Sequence, residues 1–147
     1  MPDPDAIREV AGQWLRKAAA DLAAATLLLG SDRIDPELAG YHAHQAAEKA
    51  LKAILVQRGA DVPRTHDLAR LHALVLAVTG AEAVAGLPAT PQLTSLTELG
   101  IAGRYPGIET NVVDDRDEIA VAISLAAVIV DVARGVTGSE GPEGSGG

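Results

Sequence analysis

Residues 41 to 71 read YHAHQAAEKALKAILVQRGADVPRTHDLARL. As far as residue 55 the pattern is helical. At 100° per residue, Ala43, Ala46, Ala47, Ala50, Leu51, Ala53 and Ile54 share one broad arc. Tyr41, Gln45, Glu48, Lys49 and Lys52 cluster on the opposite side, with His42 and His44 near the two borders of that polar arc. The spacing predicts a helix that buries a small-residue face and presents a dense, mixed-charge one. It should run from about Pro36 to Arg58, stop at Gly59, and be followed by a break at Val62-Pro63.

The chain on either side is also helical. Ile7, Ala11, Trp14, Ala18, Leu22, Ala25 and Leu29 recur at steps of three and four, which predicts a first helix over about Asp5 to Leu29. A third is expected from about His66 to Val78, with Asp67 in its first turn. A fourth is expected from Pro91, N-capped by Thr90, carrying Leu93, Leu96 and Leu99 and fraying at Gly100 and Gly103. Gly86 and Pro88 argue against a long regular element over 81–90. Tyr105-Pro106-Gly107 reads as a turn. A fifth helix, capped by Asp114 or Asp115, should run to about Arg134. No alternating run is long enough for a strand. The expected architecture is therefore all-α: an up-and-down bundle of about five helices over residues 1–134, with a disordered Gly-rich tail over 135–147.

Composition narrows the function. The chain has 147 residues, 48% of them hydrophobic and 2% aromatic, so one core is built from Leu, Ile, Val and Ala. A formal net charge of −8 opposes non-specific nucleic-acid binding. With no cysteine, disulfides, thiolate metal sites and cysteine nucleophiles are excluded. Met1 to Asp5 has no secretory character, and the apolar run Ile119 to Ala133 is shorter than the ~20 residues of a membrane span. A cytoplasmic location without membrane contact is expected. The fifth helix is apolar nearly all round, which places it either at the centre of the bundle or in a homodimer interface.

The chemistry concentrates where the reading began. All four histidines, His42, His44, His66 and His72, fall within residues 41–72. Lys49, Lys52, Arg58, Arg64 and Arg70 outnumber Glu48, Asp61 and Asp67 there. This local positive excess suits a phosphate or an acidic partner surface. Plainer readings stand beside it. Glu48–Lys52 and His44–Glu48 have the i,i+4 spacing of ordinary helix stabilisers, and Thr65-His66-Asp67 also fits a bare helix start. No metal is expected: His42 and His44 point about 200° apart on a helix, and His66 and His72 are poorly spaced to share an ion.

Three blocks taken together, YHAHQAAEKALKA over residues 41–53, RTHDL over 64–68 and AGRYP over 102–106, resemble the HEPN family (higher eukaryotes and prokaryotes nucleotide-binding domain) in order and spacing. The resemblance covers roughly Ala6 to Arg134. It implies a helical bundle, usually a homodimer, in prokaryotes often paired with a minimal nucleotidyltransferase as a toxin–antitoxin module. Many members of the family are metal-independent ribonucleases, whose site is an Arg followed after four to six residues by a His. Arg104 occupies the motif Arg position. However, Asn111 follows where the latest allowed His would stand, and no His occurs after His72. Asn is neither acid nor base near neutral pH.

The sequence therefore supports a non-catalytic, dimeric binding module for a nucleotide or a partner nucleotidyltransferase. Its candidate ligand residues are His44, Gln45, Lys49, Lys52, Arg64, His66, Arg104 and Tyr105, with no cofactor. The alternatives are a metal-independent endoribonuclease acting on RNA through Arg104 with His42 or His66, and a purely structural dimeric scaffold.

Overall fold

The computed structural model describes residues 2–104 and 116–138, without the side chains of residues 102–104. Among these residues there are five α-helices and one short 3-10 turn, with no strand. They are α1 (Pro4–Leu29), α2 (Pro36–Gln57), α3 (Leu68–Thr79), α4 (Thr90–Arg104) and α5 (Arg116–Thr137).

The starts of α1 to α4 each have a local cause. Asp3 and Asp35 accept the backbone N–H two residues on, and a proline follows each at the first helical position. At α3, Asp67 is the cap itself, accepting from the N–H groups of Ala69 and Arg70. The helix therefore begins two residues later than expected. At α4, Thr90 is already helical. Gln92 Oε1 reaches back 3.1 Å to the Ala89 N–H, which is half of a capping box. The expected caps of α5, Asp114 and Asp115, lie outside the described residues, as does the turn at Tyr105. At the other end α5 runs through Gly135 to Thr137, three residues beyond the expected limit. Val136 packs on the core and Thr137 is buried, and Gly138 then turns the chain at φ 71°.

The centre of the bundle is α2, not α5. α1, α3, α4 and α5 all pack against α2. Ala11, Ala18 and Ala25 of α1, at heptad spacing, are fully buried, and so are Ala43, Ala46, Ala47, Ala50 and Ala53 of α2. Side chains this small allow the close axial approach that suits a core without Phe. Leu51, Ile54, Leu55, Leu68, Leu71, Leu93, Leu96, Ile119 and Ile129 supply the volume. Each contributes about 1.5–3 kcal/mol by leaving water.

α5 buries one stripe, Ile119, Ala122, Ala126, Ile129, Val130 and Ala133, while Val121 is 59% and Val128 42% exposed. At 22 residues it is long and apolar enough, by length and composition, to cross a membrane. The short apolar run in the sequence understates the helix that contains it. In this fold its inner stripe lies against α1 and α2.

Candidate functional site

The polar arc of α2 is not a solvent face. Because α2 is surrounded, Gln45, Glu48 and Lys52 are buried along with His44, while Tyr41, His42 and Lys49 are half-buried. Two carboxylates organise this arc, one on α1 and one on α2 itself.

The first carboxylate is Asp21 of α1. It accepts from His42 Nδ1 at 2.9 Å and from Lys49 Nζ. Because α1 runs antiparallel to α2, Trp14, two turns before Asp21, lies further along α2, with its ring centroid 5.8 Å from Lys52 Nζ. Sequence spacing alone does not single out Asp21. The available signal was an acid on the α1 stripe, between Ala18 and Ala25, in register with two cationic positions seven residues apart on the next helix.

The second is Glu48, whose side chain is 6% exposed. Its Oε2 accepts from Lys52 Nζ at 2.9 Å and its Oε1 from His66 Nδ1 at 2.6 Å. Burial pushes the Glu48 carboxyl up. The hydrogen bonds from Lys52 and His66, and the charges of Lys52 and His44, outweigh it and hold the group below the usual carboxylate range. The i,i+4 pair is thus a buried structural pair and not a surface stabiliser.

His44 and His66 are tied together. His44 Nε2 lies 2.7 Å from the His66 carbonyl oxygen. A carbonyl only accepts, so His44 carries its hydrogen on Nε2. Their ring centroids are 6.5 Å apart. His66 does more than begin α3: Thr65 receives the Asp67 N–H and Asp67 caps the helix, which leaves the His66 ring to reach back to Glu48. Glu48 can only accept, so His66 Nδ1 donates and Nε2 is left on a side chain 54% exposed.

α4 closes the far side of His44. A Cβ on Gly100 would fall on Cγ, Nδ1 and Cδ2 of the His44 ring, and one on Gly40 would meet the Leu99 side chain at 3.5 Å. Gly100 is therefore a contact point where helix meets imidazole, and α4 passes through it unbroken where fraying was expected.

Of the predicted ligand residues, then, His44, Gln45 and Lys52 are interior and Lys49 is closed on Asp21, whereas Arg64 and His66 are exposed. Arg104 is the last residue of α4, one turn beyond Gly100. Its side chain lies outside the described residues, as does Tyr105. His42 faces α1 while His44 and His66 meet on the other flank, so the structure does not bring His42 and His66 together. Among the described residues no group of three or more His, Asp or Glu side chains is placed to hold a metal ion.

An all-helical bundle with a buried Glu48–Lys52 pair latched by the histidine of a Thr-His-Asp turn defines a small α-helical domain of the kind the sequence blocks resemble. The HEPN domain model matches residues 11–136, and the chain belongs to the HEPN domain family. No curated protein and no solved structure matches the chain.

Proposed function

We propose that this HEPN-domain protein is a non-catalytic binding module. It acts as a cytoplasmic homodimer in a prokaryotic cell. It takes a nucleotide, or the face of a partner nucleotidyltransferase in a toxin–antitoxin-type pair, at the surface around Arg64, His66 and the end of α4 at Arg104. The observation that carries this reading is which basic side chains reach the surface. Lys49 and Lys52 are held by Asp21 and Glu48 inside the fold, whereas Arg64 and His66 stand at its exposed rim. A guanidinium and an imidazole edge two residues apart suit a phosphate or carboxylate. The missing histidine after Arg104 supports a binding role over a catalytic one.

The test is thermal melting against a panel of nucleotides, with recovery of protein partners from the native cell. A nucleotide that stabilises wild type and not Arg64→Ala/His66→Ala is the expected result. If no nucleotide raises the melting temperature and no partner is recovered, the reading fails.

One observation favours the endoribonuclease reading. A histidine on an exposed side chain, fixed by a buried carboxylate through Nδ1, is how general bases are commonly held. In that reading Glu48 orients His66, and His66 serves Arg104 in place of the absent motif histidine. Metal-free RNA cleavage abolished by both His66→Ala and Arg104→Ala would establish it.

A further inference from the structure

The end of α2, the 3-10 turn Glu82–Val84 and the end of α5 meet around an open pocket of about 460 Å³, a size that suits a small molecule. Arg58 and Glu82 line it with opposite charges. Among the described residues neither side chain forms a hydrogen bond or an ion pair, with the other or with any neighbour. Lys49, Lys52, Arg116 and Arg134, by contrast, are all engaged within the fold. The backbone beneath both charges is fixed. Arg58 caps α2 by donating its N–H to the Ile54 carbonyl, and Gly59, at φ 71°, lets the next two N–H groups bond back to Val56 and Leu55. Glu82 opens the 3-10 turn, which the buried Val84 pins to the core.

The apolar part of the lining is Val132 and Val136 of α5, both half-buried. Two glycines complete it. Gly86 lies so close to α5 that an added Cβ would come within 3.2 Å of Val132. Gly135 has no such neighbour. A Cβ there would meet no atom within 4 Å, and its φ is not positive. Glycine is a poor helix former, and neither packing nor backbone conformation requires it at this position of α5. Its missing side chain leaves the pocket open. We infer that this pocket binds a small aliphatic amino acid as its zwitterion, with the carboxylate on Arg58, the ammonium on Glu82 and the side chain against Val132 and Val136.

A guanidinium takes a carboxylate through paired N–H donors, and a glutamate accepts from an ammonium. Because the two charges of the pocket cancel, a neutral zwitterion satisfies both. An inorganic phosphate would meet repulsion at Glu82, and a polyamine would meet it at Arg58. The pocket shares no residue with Arg64, His66 or Arg104, so the inference stands apart from the nucleotide surface.

The experiment is ligand-observed NMR on the full chain with L-leucine, beside L-leucinamide, which lacks the carboxylate, and N-acetyl-L-leucine, which lacks the ammonium. Leucine should bind at millimolar concentration, and each blocked analogue should bind at least about tenfold more weakly. Arg58→Gln and Glu82→Gln should each weaken leucine binding by about tenfold or more. Gly135→Leu should abolish it by filling the pocket. Arg8→Gln, which removes an exposed charge on α1, should leave it unchanged, and melting curves establish that each variant is folded. No binding of leucine, equal binding of either blocked analogue, or binding indifferent to Arg58→Gln and Glu82→Gln overturns the proposal. So does inorganic phosphate that binds more tightly than leucine and is lost in Arg58→Gln, because the pocket would then be a simple anion site.

Discussion

At the scale of single residues the domain depends on how it hides charge. A carboxylate as buried as Glu48 is tolerated only because both oxygens receive charged or polar donors. Removing one partner strands the other. Lys52→Met should therefore cost about 3 kcal/mol, the low end for a broken buried pair because His66 still donates; denaturant unfolding measures it. The lowered Glu48 pKa also sets a direction with pH. A carboxylate whose folded pKa lies below its unfolded value contributes stability above the unfolded value and loses it as pH falls through the folded one. The stability gap between wild type and Glu48→Gln should be level near neutrality and shrink once the pH drops below the ordinary glutamate value, about 4.3. A gap that widens in acid would contradict the assignment. The sequence contained the Glu48–Lys52 spacing but not the burial that turns a weak surface pair into a costly interior one. Asp21 was harder still to read, because its partners lie on another helix.

At the scale of elements, what the sequence made legible follows from periodicity. The five helices lie within a few residues of the positions that their apolar spacing predicts, since each needs one buried stripe. What it obscured is which helix lies at the centre. α5 is the more apolar to the eye, but α2 is the one surrounded, and its polar arc is satisfied internally instead of facing water. Gly100 was misread for a related reason. In sequence a helical glycine signals weakness, whereas here it makes room for an imidazole from the neighbouring helix. Gly100→Ala should then destabilise by about 1–3 kcal/mol through overpacking. His44→Ala in the same chain should recover part of that loss, a coupling that a double-mutant cycle would measure. If the two losses simply add, the contact does not matter.

At the scale of the whole molecule, the chain is a helical bundle of the HEPN domain family, and the role proposed for it is assigned to the surface around Arg64, His66 and Arg104. Family resemblance pointed to an Arg-based site. The chain then departs from the family's ribonuclease pattern at the position where the histidine is needed. As the proposed homodimer, the protein should show a mass in solution at micromolar concentration twice that of the chain; a monomer would remove the basis for any site shared between copies. The most direct test of the central claim is cleavage of labelled RNA by the purified protein in chelator, beside Arg104→Ala. Neither protein should cleave the RNA. Metal-free cleavage by wild type that disappears in Arg104→Ala would contradict it and make the protein a ribonuclease without the motif histidine.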